Sequence, residues 1–302
     1  MPRAKWKLPL FLLAMVLALS LAGCVDTSYE KGLNVVEASV LKTLSADSGA
    51  VVIDARSPED YAKGHLQGAV NLPPAKLTVS VPVEGSIASR EKIEKALGEL
   101  GITRETRLYI YDSNGGVNAS RLWWVLKVYG HEAVHVINNG ETAVVATGLP
   151  LTVEVPVTQP ADYRADDLNT DRLAVLEEVK AVTEGTSDVL LLDVRSQAEY
   201  DEVAIPGAIL YPHTKNLYQD GTFRSSRDIY LNYKDLGLER NRPVIVYCKT
   251  SFRAAQTALL LEEAGFTAVK VYDGAWMEWS QQGLPTSAPE GDTVAPTVQD
   301  AS

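Results

Sequence analysis

The chain has 302 residues, of which 46% are hydrophobic and 22% charged, with 28 Lys and Arg against 39 Asp and Glu. This apolar content is enough for two globular domains and excludes a disordered or collagen-like chain, while two cysteines exclude a disulfide-stapled one. The formal net charge of −11 argues against non-specific nucleic-acid binding, which depends on dense Lys and Arg.

The first 23 residues have the pattern of an export signal. Three cations precede an apolar run over residues 8–22, which is short for a bilayer span of roughly 20 residues. The run ends in Leu-Ala-Gly-Cys, which resembles the bacterial lipobox and implies that Cys24 is lipidated. We therefore expect an extracytoplasmic bacterial lipoprotein, whose acidic body is held at the membrane by the lipid. A plain signal peptide and an uncleaved membrane helix are the alternatives.

After the signal, the chain repeats itself. Residues 51–61 return in similar form at 190–200, so that Asp54 and Asp193 lie 139 residues apart. In each copy a second apolar run, a segment of helical period and a third apolar run follow; the apolar runs are 108–112 and 133–137, then 244–248 and 268–272. Strands that alternate with helices in two similar copies predict an α/β fold of two tandem domains, each a parallel sheet flanked by helices.

Composition sets the predicted boundaries. A stretch rich in Pro, Val and Thr after the first copy is typical of a connector, and the last residues have few large apolar side chains. The predicted division is a signal peptide at 1–23, a flexible tether at 24–33, a first domain at 34–150, a linker at 151–165, a second domain at 166–285 and a disordered tail at 286–302.

The chemistry concentrates after the second apolar run of the second copy, in Cys248-Lys-Thr-Ser-Phe-Arg. A strand that ends at Tyr247 and a helix that begins near Phe252 place the residues between them in a tight turn at the carboxyl edge of the sheet, where ligands bind in open α/β folds. Backbone N–H groups in such a turn, with the positive end of the helix, form an anion cradle. Helix N-termini and nearby cations favour the nucleophilic thiolate of a cysteine, which indicates a nucleophile at Cys248.

Two cations in this segment indicate an anionic ligand. Lys249 and Arg253 lie near a helix N-terminus, where the helix dipole disfavours positive charge by some tenths of a kcal/mol. A buried structural cysteine with two solvated surface charges is the alternative. The combination on one strand-to-helix turn favours a functional site.

In these motifs the sequence resembles the tandem-domain rhodaneses, a family of sulfurtransferases, over roughly residues 34–285. Residues 248–253 match the six-residue active loop of the family, and residues 269–279 are similar to its C-terminal signature. Residues 61–69 resemble its N-terminal signature. The resemblance implies two rhodanese-like domains and a sulfurtransferase activity.

The resemblance also implies a mechanism. Cys248 would attack the outer sulfur of thiosulfate or a related small anionic donor, release sulfite and keep a persulfide until a thiol or cyanide takes the sulfur in a ping-pong cycle. Lys249 and Arg253 would neutralise the dianionic donor, while the backbone of the loop, including Thr250 and Ser251, would hold the sulfur. No metal, organic cofactor or nucleic acid is implied.

The Asp-x-Arg motif of the second copy supplies one more candidate. By resemblance, Arg195 would hold the substrate anion, as the corresponding arginine does in tandem sulfurtransferases. A structural salt bridge, to Glu199 for instance, is the alternative.

The first copy departs from the family pattern at its loop. Asp112 stands at the position of Cys248, and a carboxylate cannot carry transferable sulfur, so we expect this copy to be catalytically silent. We expect it to wall one side of a cleft between the domains, with Trp123 and Trp124 as packing residues.

Other functions fit parts of the pattern. Dual-specificity phosphatases and arsenate reductases have a related loop, but phosphate needs a longer Cys-x5-Arg cradle, and only four residues separate Cys248 from Arg253. A 3-mercaptopyruvate sulfurtransferase shares the tandem fold, although its loop usually carries small neutral residues after the cysteine. A non-enzymatic persulfide carrier or binding module is the remaining alternative.

Overall fold

The structure is a computed structural model that describes residue 29 and residues 32–44 and 49–287. The predicted signal peptide, Cys24 and residues 288–302 of the predicted tail lie outside the described residues. Within the described part of the chain, no helix combines the length and apolar character needed to cross a membrane.

Within residues 32–44 and 49–152, the first domain contains nine strands and four α-helices. The strands are β1 (Val35–Val36), β2 (Ala50–Asp54), β3 (His65–Leu66), β4 (Val70–Asn71), β5 (Thr78–Val79), β6 (Ser86–Ile87), β7 (Arg107–Tyr111), β8 (Val134–Ile137) and β9 (Leu151–Thr152). The helices are α1 (Pro58–Lys63), α2 (Arg90–Glu99), α3 (Val117–Val128) and α4 (Gly140–Ala146), with short 3-10 helices at Ala38–Thr43 and Pro74–Lys76. The main sheet is parallel, in the order β1-β8-β7-β2-β4, while β3 pairs with β9 and β5 with β6 antiparallel.

The second domain repeats this topology. Its strands are β10 (Leu173–Ala174), β11 (Leu190–Asp193), β12 (Ile209–Leu210), β13 (Val244–Tyr247) and β14 (Val269–Tyr272). Its helices are α5 (Leu176–Thr183), α6 (Gln197–Glu202), α7 (Ser226–Asp235), α8 (Phe252–Glu263) and α9 (Ala275–Gln281), with a 3-10 helix at His213–Asn216. The parallel order β10-β14-β13-β11-β12 matches that of the first sheet strand for strand, which confirms the predicted fold class.

The central strand of each sheet is apolar on both faces, as expected for a strand covered by helices on either side. In β13, Val244 and Val246 enter one core, whereas Ile245 and Tyr247 enter another. The first of these cores is continuous with that of the first domain and contains helices α3 and α8, which follow the two loops at the sheet edges. The domains therefore share a core, and both loops stand beside their interface.

Serine caps explain part of the internal repeat. Ser57 accepts a hydrogen bond from the backbone N–H of Asp60 at 3.1 Å, and Ser196 accepts one from Glu199 at 3.2 Å. Each satisfies a free N–H at the start of the helix that follows the first strand of its motif. The serine conserved between the copies thus starts α1 and α6.

The predicted segment boundaries need three corrections. Tyr29, in the predicted flexible tether, is buried, and its hydroxyl donates to the carbonyl of Arg224. Leu151 and Thr152, in the predicted linker, form β9 and belong to the first domain. Ser287, in the predicted tail, exchanges two backbone hydrogen bonds with Ala204, so the fold extends at least this far.

Candidate active site

The loop after β13 has the predicted geometry. Cys248 follows the strand directly, and α8 begins at Phe252 after Ser251, whose φ of 64° is rare for a residue other than glycine. The first turn of α9 holds the loop from behind, since the N–H of Trp276 donates to the Cys248 carbonyl at 2.9 Å and that of Met277 to the Lys249 carbonyl at 3.2 Å. The turn that carries the cysteine is therefore fixed by the structure around it.

The backbone of this loop offers a ring of hydrogen-bond donors. Among the described residues, the N–H groups of residues 249–254 find no acceptor, and the first N–H of this segment to be bonded within the protein is that of Ala255, to Ser251. Buried backbone N–H groups are nearly always paired, so such a set at a helix N-terminus is suited to an anion. Cys248, which is only 1% exposed, lies at the start of this ring.

The first copy fills the equivalent ring with the side chain of Asp112. The Asp112 carboxylate accepts hydrogen bonds from the backbone N–H groups of Asn114 at 3.2 Å, Gly116 at 2.9 Å and Ala119 at 2.9 Å. Burial raises the pKa of Asp112, and these hydrogen bonds act in the opposite direction. A carboxyl group of the protein thus occupies the first loop and accepts the backbone N–H groups, so this backbone conformation is suited to an anionic acceptor.

The two loops differ in length by one residue. Five residues, Asp112 to Gly116, precede α3, whereas four residues, Cys248 to Ser251, precede α8. Gly116 has a φ of 80°, and a Cβ there would lie 2.3 Å from the ring of Phe223, so only glycine fits. Phe223 comes from the second domain, and the loop of the first domain is thereby packed against the domain that carries Cys248.

Arg253 is paired with a carboxylate of its own domain. Its two terminal nitrogens donate to Glu199 at 2.7 and 2.8 Å, in a bidentate arrangement. Glu199 raises the pKa of Arg253, and the negative charge of a Cys248 thiolate would raise it further. In turn, Arg253 lowers the pKa of Glu199 to about 2. The anion that balances Arg253 in this structure is thus a protein side chain.

Arg195 is held by Asp193, not by Glu199. Its Nε lies 3.0 and 2.9 Å from the two carboxylate oxygens, and Nη2 donates to Asp193 at 2.6 Å and to the Val203 carbonyl at 2.7 Å. Arg56 makes the same contacts with Asp54 in the silent copy, so the Asp-x-Arg pair serves the fold. Among the described residues Nη1 of Arg195 has no hydrogen-bond partner, and the predicted substrate contact is restricted to that atom.

The remaining predicted residues face outwards or towards the first domain. Lys249 is exposed and makes no ion pair with any described residue. Thr250 lines a cleft of about 760 Å³ together with Phe252 and first-domain residues such as Asn118 and Glu84. Trp123 and Trp124 are fully buried in the shared core. The residues that line this cleft come from both domains.

The active loop is tied to the first domain through Asp273. Its Oδ1 accepts hydrogen bonds from Ser251 Oγ at 3.2 Å and from Arg121 Nη2 at 2.7 Å, and its Oδ2 accepts one from the N–H of Ile87 at 2.8 Å. Arg121 is fully buried and stacks between the rings of Trp124 and Phe252, 4.7 and 5.4 Å from their centroids. Ser251, with its positive φ, therefore contacts a carboxylate that the first domain positions.

Comparison with known proteins agrees with this geometry. The family model for the rhodanese-like domain matches residues 37–147 and again residues 175–282. The chain belongs to the rhodanese-like family.

Several relatives match this chain over more than 250 residues or over most of their own length. The chain is 32% identical to the sulfur carrier protein TtuD of Thermus thermophilus over 252 residues, 76% of this chain and 87% of TtuD. It is 30% identical to a thiosulfate sulfurtransferase of Azotobacter vinelandii over 257 residues, 81% of this chain and 93% of the relative. The crystal structure of SseA from Escherichia coli, described as a 3-mercaptopyruvate sulfotransferase, matches with a TM-score of 0.71 and 26% identity, covering 82% of this chain and 99% of SseA.

Three contacts of this rhodanese-like site were not predicted from the sequence. Glu199 appears there only as a possible partner of Arg195, whereas it pairs with Arg253. Asp273 lies in the C-terminal signature, which was the available signal, but its contacts with Ser251 and Arg121 depend on the packing of the two domains. Each missed contact joins residues that are far apart in sequence.

Proposed function

We propose that the protein is a sulfurtransferase that moves sulfane sulfur from thiosulfate to a thiol or cyanide through a persulfide on Cys248. One observation carries the proposal: the backbone ring that Asp112 fills with a negative side chain in the silent copy surrounds a cysteine in the other copy, with its N–H groups unpaired among the described residues. A persulfide anion on Cys248 would accept these hydrogen bonds.

The first half-reaction loads the cysteine. The Cys248 thiolate attacks the outer sulfur of thiosulfate, a new S–S bond forms at Sγ, and the old S–S bond breaks with its electron pair leaving on sulfite. Negative charge develops on the sulfane sulfur, next to the N–H groups of residues 249–254 and the N-terminus of α8. The second half-reaction transfers this sulfur to the acceptor and restores the thiolate.

Two cations serve the anionic donor in different ways. Lys249 is exposed and available to attract a small dianion, whereas Arg253 already has Glu199 as its counter-ion. A donor that approaches Cys248 therefore competes with Glu199 for the guanidinium. The deep position of the thiol favours a small donor over a bulky one.

Mass spectrometry after treatment with thiosulfate tests the proposal. We expect one added sulfur atom on the wild type and on the matched control Cys24→Ala, which removes the other cysteine, and none on Cys248→Ser. Catalytic formation of thiocyanate from thiosulfate and cyanide separates an enzyme from a stoichiometric carrier. Sulfur on Cys248→Ser would overturn the assignment of the nucleophile.

The donor is tested separately. Since SseA is described as a 3-mercaptopyruvate sulfotransferase and shares the tandem fold, the kcat/KM values for 3-mercaptopyruvate and thiosulfate decide between the two substrates. We expect the larger value for thiosulfate, because Lys249 follows the cysteine directly. A larger value for 3-mercaptopyruvate would change the donor without changing the persulfide mechanism.

We also propose that Cys24 carries a lipid that holds the protein at the membrane. The support is the apolar run over residues 8–22 and its Leu-Ala-Gly-Cys ending. Metabolic labelling with a fatty acid should mark the wild type and not Cys24→Ala. Equal labelling of both would contradict the anchor.

A further inference from the structure

His213 stands at the same sheet edge as the reactive cysteine, although no motif of the sequence points to it. Its backbone N–H donates to the Val194 carbonyl at 3.1 Å, and the N–H of Val194 donates to the Tyr247 carbonyl at 3.0 Å. Tyr247 directly precedes Cys248, and neighbouring strands lie about 4.8 Å apart. The histidine is therefore anchored to the strand next to the one that carries the thiol.

The contacts of Gln256 decide which ring nitrogen of His213 carries the proton. Gln256 Nε2 lies 2.5 Å from the Gly115 carbonyl, which only accepts hydrogen bonds, so this atom is the amide donor. Gln256 Oε1 then faces His213 Nδ1 at 3.1 Å and must accept from it. The neutral ring thus carries its proton on Nδ1 and presents an unprotonated Nε2, which has no hydrogen-bond partner among the described residues.

The charged groups around His213 belong to the active site. Arg253 on α8 and Glu199 on α6 both act on it, and Gln256 lies one helical turn beyond Arg253 on the same face of α8. Burial lowers the pKa of His213, the Gln256 hydrogen bond opposes this, and Arg253 lowers it further. The imidazole is consequently neutral at physiological pH, the form in which it accepts a proton.

We infer that His213 is the base that deprotonates a thiol acceptor during the second half-reaction. This assignment rests on the proposed function and names its acceptor class. The thiol gives its proton to His213 Nε2, the thiolate attacks the sulfane sulfur of the Cys248 persulfide, and a new S–S bond forms. The bond between Sγ and the sulfane sulfur breaks with its electron pair returning to Cys248, and the product persulfide regains the proton from His213.

The chemistry of the acceptor explains why a base is needed here. A free thiol has a pKa near 8.5 and is mostly protonated at neutral pH, while only the thiolate is nucleophilic. Sulfite, which reverses the loading step and regenerates thiosulfate, is already an anion with a free electron pair on sulfur. His213 should therefore matter for thiols and not for sulfite.

Single-turnover transfer from the loaded protein tests the assignment. The Cys248 persulfide is formed with thiosulfate, verified by mass spectrometry, and then mixed rapidly with 2-mercaptoethanol or with sulfite. We expect His213→Gln to slow transfer to the thiol by about 10²-fold at neutral pH, in the range of general-base effects, and to leave transfer to sulfite within about twofold. The thiol defect should shrink as the pH rises above the pKa of the thiol.

Two further variants keep the test interpretable. Gln256→Leu removes the group that fixes the tautomer and should slow thiol transfer by about 10-fold, a positioning effect that leaves sulfite transfer unchanged. His135→Gln, the same change at a histidine of the first domain, should alter neither rate. Equal slowing with thiol and sulfite, or a thiol defect that persists at high pH, would overturn the role of His213 alone. Absence of sulfur on the wild type after thiosulfate would overturn the proposed function and this assignment with it.

Discussion

The ion pair between Arg121 and Asp273 should contribute several kcal/mol to stability, because it joins the silent domain to the active loop in a buried position. The Arg121 side chain is fully buried and that of Asp273 is 10% exposed. Breaking a buried pair by removing one partner costs about 3–5 kcal/mol, and the lower end applies here because Asp273 keeps its hydrogen bonds from Ile87 and Ser251. Arg121→Met retains most of the packing between Trp124 and Phe252 and removes the charge, so we expect a loss within this range.

Denaturation in urea, followed by tryptophan fluorescence, measures this loss. The matched control is Arg164→Met, because Arg164 pairs with Asp162 with both side chains 74% exposed, and such pairs contribute about 0–1 kcal/mol. In a double-mutant cycle, Arg121→Met should cost much less when Asp273 is already Asn. The rate of sulfur loading should fall in Arg121→Met as well, because Asp273 holds Ser251.

Either of two results would refute a stabilising role for the ion pair between Arg121 and Asp273. One is a free-energy loss in Arg121→Met no larger than that of Arg164→Met. The other is a coupling energy between Arg121 and Asp273 below about 0.5 kcal/mol, the usual error of additivity for independent sites. Either result would mean that the silent domain does not stabilise the loop through this contact.

Four further predictions concern the two loops and Glu199, the partner of Arg253. Glu199→Gln should lower KM for thiosulfate several-fold, as Arg253 loses its competing counter-ion, and an unchanged KM would contradict that competition. The ionised Glu199, with its pKa lowered to about 2, stabilises the fold above its unfolded pKa near 4.3, so this contribution should vanish between about pH 4 and 2 in acid unfolding of the wild type and be absent from Glu199→Gln. Asp112→Ala should cost about 2–4 kcal/mol because three N–H groups lose their acceptor, and added chloride should restore part of the melting temperature; no effect of chloride would argue against an anion cradle. Alkylation of Cys248 by a bulky maleimide should be far slower than that of a free thiol, and fast alkylation would contradict its burial.

The local sequence pattern was sufficient to predict the backbone elements that form the site. The internal repeat, the strand that ends at Tyr247 and the helix that starts at Phe252 are all encoded in contiguous residues, and the structure has them at those places. Aligning the two copies also placed Asp112 at the position of Cys248. Because a carboxylate cannot carry transferable sulfur, the first copy was expected to be inactive.

The sequence pattern did not predict which charged side chains form ion pairs with one another. The distance between Glu199 and Arg253 depends on how α6 and α8 pack on the sheet. The distance between Arg121 and Asp273 depends on how the two domains pack against each other. For Arg195, however, the sequence contains a signal of its structural role. The Asp-x-Arg pair is present in the silent copy too, which indicates a structural role that does not require catalysis.

The carboxylate inside the first loop has a consequence for how the molecule behaves through a reaction cycle. The loop of the first domain has its own hydrogen-bond acceptor in Asp112, so its shape should not depend on whether Cys248 carries sulfur. In the proposed cycle, the second domain carries its negative charge on Cys248 Sγ when unloaded and on the added sulfane sulfur when loaded, so the hydrogen bonds of its loop should change at every turnover. The protein thus combines one loop whose hydrogen bonds stay the same with one loop whose hydrogen bonds change during each turnover.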